Sequence, residues 1–168
     1  MANKREIANA WIALMKPGTR AGQNEKLLKL YTDFLYSWLA LIFLGKYKTV
    51  GDERTMLKNL VVNAPEPLIS KIYTATSHNI SEIAKLRVKN EDLRRVNICF
   101  EEADKLDVAL SGANPRQIIE ATLGLLYVVR CNLFHADKSP SDTRDTDIMF
   151  YSSKITANIS ETMVKELP

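Results

Sequence analysis

The sequence predicts an all-α fold: an up-and-down helical bundle of four long helices plus one or two short ones, forming a single domain over residues 1–168. Three observations predict it. Apolar residues recur every three or four positions through long segments, the period of a helix with one buried face. Breakers are sparse, with six glycines and six prolines in 168 residues. No Asn-Gly or Asp-Gly step marks a β-hairpin.

The elements follow in order. Ile7, Trp11 and Leu14/Met15 share a helical face over residues 3–15, and Pro17-Gly18 ends that segment. A polar connector follows, then a helix over residues 25–44. It carries Leu27, Leu28, Tyr31, Phe34/Leu35, Trp38 and Leu41/Ile42. From Trp38 onward it is apolar nearly all round, which suits the centre of a bundle or a shared subunit interface. Gly45 fits its C-terminal cap.

Asp52 suits the N-cap of a short helix over residues 53–63, with Met56, Leu57 and Leu60/Val61 inward. Pro65-Glu66-Pro67 stops it, and Pro67 fits the first turn of the next helix, which buries Leu68, Ile69, Ile72 and Tyr73. His78-Asn79 reads as a surface turn that interrupts or ends that helix, with Ser81, Ile83, Leu86 and Val88 as the segment that can continue it. Asn90-Glu91-Asp92 signals another start, and Ser111-Gly112-Ala113 its close. Asn114-Pro115 pairs an N-cap with a first-turn proline. Its helix carries Ile118/Ile119, Thr122, Leu125/Leu126, Val129 and Leu133 inward and ends near His135. Ser141-Asp142 opens the last helix, with Ile148, Ser152, Ile155, Ile159 and Met163 as its stripe.

Composition narrows the function classes. Apolar residues make 46% and charged residues 26%, the balance of a globular protein. A net charge of +3 allows a basic patch without requiring one. Cys99 and Cys131 form no Cys-x-x-Cys pair, so no zinc site is expected. They read as free thiols in a reducing cytoplasm, packed as small core residues. The run Ala10–Met15 is too short and too polar for a secretory leader. The eleven-residue run Phe34–Leu44 falls short of the roughly twenty that span a bilayer, so no membrane partner is expected.

The stretch with chemical promise is Tyr127-Val128-Val129-Arg130-Cys131-Asn132-Leu133-Phe134-His135, followed by Ala136-Asp137-Lys138-Ser139-Pro140. His135 is one of two histidines in the chain. Histidine titrates near neutral pH and can take a proton from an RNA 2′-hydroxyl or give one to the leaving oxygen. Arginine is always charged and forks onto phosphate oxygens as charge builds up there. Arg130 and His135 lie five residues apart, roughly 140° round an ideal helix, so they converge only if the helix ends or tightens there. One histidine cannot easily be base and acid in one step; a two-fold dimer supplies a second copy of each group. The blander reading is an Arg and a His favourably placed at the negative end of a helix dipole. Likewise, the basic cluster at Lys85, Arg87, Lys89, Arg94 and Arg95 reads as a solvated face.

Residues 127–138 resemble the signature of the HEPN superfamily, in which Arg, four to six residues and His lie near the end of a long helix. Here the spacing is Arg-x4-His, and Val-Arg-Cys-Asn-Leu-Phe-His is similar to a bacterial subgroup. The aromatic segment Phe34–Ala40 also looks like the second helix of such proteins. The resemblance implies an up-and-down bundle, a homodimer, and a metal-independent, cofactor-free endoribonuclease site formed by Arg130 and His135 of both copies. Asn132 and Lys138 are the expected supporting or RNA-binding residues. It implies a toxin or phage-defence role, with a nucleotidyltransferase-type antitoxin as one partner class. Two positions depart from the pattern. Cys131 stands where active members often carry a polar residue, and Ala136 where the subgroup usually has Gly. Some relatives have lost catalysis and serve as binding modules, which is the alternative reading.

Overall fold

The structure is a computed structural model that describes residues 21–48, 51–86, 96–134 and 143–166; the side chains of 21–24, 46–48, 96–100 and 134 fall outside that description. The chain is an all-α helical bundle. Among the described residues its helices are α1 (Ala21–Lys48), α2 (Glu53–Val62), α3 (Glu66–Lys85), α4 (Val96–Gly112), α5 (Pro115–Phe134) and α6 (Thr143–Lys165). The expected helix over residues 3–15 and the expected start at Asn90 lie outside the described residues.

α6 packs between α1 and α3, α3 also packs on α5, and α5 packs on α4; α2 spans from α1 to α5. α3 and α6 run antiparallel, since Lys71 pairs with Glu166, Asn158 donates to the Ala75 carbonyl, and Arg144 donates to the Leu86 carbonyl. The α6 stripe read from spacing is the one buried: Ile148, Ser152, Ile155, Ile159 and Met163 all face inward. Between α1 and α6 the seam is polar. Ser37 and Thr156 share a hydroxyl contact at 2.7 Å, and Ser160 donates to the Ser37 carbonyl at 3.1 Å, so these three hydroxyls are satisfied, whereas the buried Ser152 hydroxyl finds no partner among the described residues.

Three expectations are corrected. α3 runs straight through His78-Asn79, because Ile80 and Ile83 continue the buried stripe of Ile69, Ile72 and Thr76. His78 is an exposed residue on that helix, not a turn. Gly45 does not cap α1; it is buried inside it. A Cβ there would come within 2.9 Å of the Met56 Cβ, so the glycine allows α1 and α2 to approach closely. The apolar part of α1 is also longer than the Phe34–Leu44 run. Glu25–Gly45 is long and apolar enough to cross a membrane by composition, yet one of its faces supplies Tyr31, Phe34, Trp38 and Leu41 to the core.

Candidate functional site around Arg130

The site is assembled on α5. Asn114 caps it as the Asn-Pro pair predicts, its side chain accepting from the backbone N–H of Arg116 at 3.0 Å and of Gln117 at 3.3 Å. The residue before the cap, Ala113, sits at φ 52°, where an L side chain is strained. α5 then buries Ile118, Ile119, Thr122, Leu125, Leu126 and Val129, which fixes the rotation of its last turns.

Arg130 therefore emerges beside the buried Val129, partly exposed. Its Nη2 donates to Oε1 of Glu53 at 3.0 Å, and the side chains are 27% and 30% exposed respectively. Glu53 is the first residue of α2, and its neighbour Asp52 caps that helix by accepting from the Thr55 N–H at 2.7 Å. That hydrogen bond holds the Asp52 carboxyl below the usual aspartate value. The next residue, Arg54, pairs with the buried Glu102 of α4. The start of α2 is thus held on both sides, and Glu53 presents a fixed carboxylate to Arg130.

The far end of α2 is held by the same helix. Arg116 donates to the carbonyls of Val61, Val62 and Ala64, and its Nε donates to Glu66 at 2.8 Å. Val61 and Val62 are the last residues of α2, where carbonyls lack intrahelical donors, and the Val61 carbonyl also accepts from the Ala64 N–H at 3.2 Å. α2 therefore lies antiparallel on α5, bracketed by Arg116 and Arg130. The two are fourteen residues apart, about 21 Å along α5. Sequence reasoning missed Arg116 and Glu53, although an arginine near a helix start and an acid at a helix start were both visible.

Around Arg130 the neighbours are Tyr127 and Cys131. Cys131 is a free thiol, half-buried and not a core residue as expected. Burial raises the Tyr127 hydroxyl above its ordinary value, and its hydrogen bond with Cys131 and the charge of Glu53 add to this; Arg130 opposes them. Tyr127 therefore stays a neutral phenol at physiological pH. It can donate a hydrogen bond but cannot serve as an anionic base there. Its ring lies 6.5 Å from that of Trp38, which ties this part of α5 to α1.

Of the other expected site residues, Asn132 is 3% exposed, and its Nδ2 finds no hydrogen-bond partner among the described residues. It lies behind Arg130, on the inner side of α5. His135 and Lys138 lie outside the described residues, as do Arg87, Lys89, Arg94 and Arg95 of the basic cluster. Lys85 is described and pairs with Glu82. Cys99 belongs to α4, but its side chain is outside the description.

A cleft of about 910 Å³ opens between α2, α4 and α5. Glu102 forms its floor, taking Arg54 and Lys105 on one carboxylate oxygen, with the other against Gly124. Its cations Arg54, Lys58 and Lys105 face the carboxylates Glu101, Glu102, Asp104 and Glu120. That balance does not favour an incoming polyanion.

Comparison of the chain with protein-family models, with the curated proteins and with the solved structures finds no match.

Proposed function

We propose that this chain is an endoribonuclease of HEPN type, acting without metal at a site shared by two copies. Arg130 carries the reading: a partly exposed guanidinium near the end of a buried helix, held in place by Glu53 and set five residues before His135. In the proposed reaction His135 of one copy takes the 2′-hydroxyl proton, and the oxygen attacks the adjacent phosphorus. The second copy's histidine protonates the leaving 5′-oxygen. Arg130 stabilises the charge on the non-bridging oxygens. Asn132 supports the helix from behind, and Lys138 adds a cation near the RNA backbone. A cytoplasmic role as a toxin or phage-defence component, with or without a nucleotidyltransferase-type antitoxin, belongs to the same proposal.

A second reading has its own support. Cys131 replaces the polar neighbour found in active members, and Glu53 neutralises Arg130 in the free chain. Both favour a non-catalytic HEPN-like module that binds RNA or a protein partner. An RNase assay in a chelator, comparing wild type with His135→Ala, separates the two. The leading reading expects cleavage by the wild type and none by the variant; equal cleavage by both removes His135 from the mechanism.

A further inference from the structure

α1 is apolar on two faces. One supplies Tyr31, Phe34, Trp38 and Leu41 to the core. The other is left outside: Leu28, Tyr36, Leu39 and Phe43 are 47%, 69%, 61% and 72% exposed. At 100° per residue they fall within an arc of about 80°, and they run about 22 Å along the helix. The half-buried Thr32 and Leu35 lie on the same line, and the Thr32 hydroxyl already donates to the Leu28 carbonyl at 2.7 Å. Single exposed apolar residues are ordinary; an aligned ridge is not.

We infer that this ridge docks on the surface of an anionic lipid bilayer, with α1 lying in the plane of the headgroups. Charge decides for that occupant. α1 carries Lys26, Lys29, Lys46 and Lys48 against Glu25 and Asp33, four cations to two anions. The surplus is unevenly placed. In the first half of the helix Lys29 pairs with Asp33 at 2.7 Å. From Phe34 to Gly51 the sequence holds no acid, and Lys46 and Lys48 are its charged residues. The most exposed part of the ridge, Tyr36, Leu39 and Phe43, therefore runs straight into Lys46-Tyr47-Lys48. Aromatic residues and lysines at the end of an apolar face suit a headgroup layer, where rings sit at the acyl boundary and ammonium groups meet lipid phosphates. Each lysine near an anionic surface adds to the attraction.

The helix meets lipid from one side only. By length and composition Glu25–Gly45 could cross a bilayer, but its inner face belongs to the bundle core. Docking on the outer face leaves the Arg130 corner clear, because α1 meets Tyr127 through Trp38 on its core side. The inference rests on exposure and charge, and it stands whether or not the chain cleaves RNA.

Co-sedimentation of the full chain with vesicles tests it. Binding is expected to vesicles of phosphatidylglycerol and phosphatidylcholine in equal parts, and far less to phosphatidylcholine alone. Leu39→Glu with Phe43→Glu should lower the partition coefficient at least about 100-fold with helical circular dichroism retained, since it removes two apolar anchors and adds two charges that the lipid repels. Lys46→Glu with Lys48→Glu leaves the ridge intact and should lower it at least about tenfold. If the ridge variant does not fold, hydroxyl-radical footprinting of the wild type decides: Tyr36 and Phe43 should become protected when the mixed vesicles are added. No sedimentation with the mixed vesicles overturns the inference, as does equal binding to both lipids or binding indifferent to the substitutions. So does protection of the ridge without lipid, which would mean that protein covers it: a second copy if protection rises with concentration, the chain itself if it does not.

Discussion

Arg130 near the end of α5 donates to Glu53 at the first position of α2, Nη2 to Oε1, at 3.0 Å. The contact joins residues 77 positions apart, and it aims the guanidinium that the proposed chemistry uses. Glu53→Gln keeps the shape and removes the charge. RNA cleavage should fall about tenfold, equivalent to ~1.4 kcal/mol of lost positioning. Stability should change by less than ~1 kcal/mol, since both partners are solvent-accessible and the pair is screened. Cleavage rate and melting temperature, measured together, separate positioning from unfolding. An unchanged rate beside an inactive Arg130→Ala would show that Glu53 does not aim the arginine.

Arg116 predicts a purely structural effect. It satisfies three carbonyls at the end of α2 and the Glu66 carboxylate. Arg116→Ala should cost about 1–2 kcal/mol, because it removes the donor to the part-buried Ala64 carbonyl and one of the two donors to Val61, while water can reach Val62 and Glu66. Urea unfolding should show a lower midpoint with an unchanged slope.

Gly124 tests packing against helix propensity. Alanine is favoured over glycine inside a helix by about 1 kcal/mol. Here a Cβ would collide with the Glu102 carboxylate, which is already pinned by Arg54 and Lys105. Gly124→Ala should therefore destabilise the chain, by about 1–3 kcal/mol. A higher melting temperature for this variant would mean that Glu102 can move aside at little cost.

Asp52 gives the fold a pH dependence. Its folded-state value lies below the ordinary 3.8, chiefly through the backbone hydrogen bond from Thr55. Its contribution is therefore present above the unfolded value and is lost as pH falls through the folded one. Asp52→Asn keeps an acceptor at the cap but cannot titrate. Melting curves of the two proteins should differ less at acid pH than at neutral pH.

The fold was readable because helices announce their buried faces by period. The α6 stripe from Ile148 to Met163, the Asp52 cap and the Asn114-Pro115 start all follow from residues within one turn of each other. Misreadings arose where a distant neighbour decided the outcome. Gly45 resembles a cap until Met56 is placed against it. His78-Asn79 resembles a break, but the isoleucines after it hold α3 together. The candidate site was legible by half. Arg130 stood out by its place at the end of an apolar helix. Glu53 and Arg116 did not, because an acid at one helix start and an arginine near another are ordinary until tertiary packing brings α2 onto α5.

The central claim is that Arg130 and His135 serve cleavage through the RNA 2′-hydroxyl. Mass spectrometry of the ends formed when the purified chain is incubated with single-stranded RNA in a chelator tests it most directly. The expected products are 2′,3′-cyclic phosphate and 5′-hydroxyl ends, absent with Arg130→Ala or His135→Ala and absent when the substrate is 2′-deoxy. Intact RNA after incubation with a folded, dimeric wild type would contradict it, as would 5′-phosphate ends.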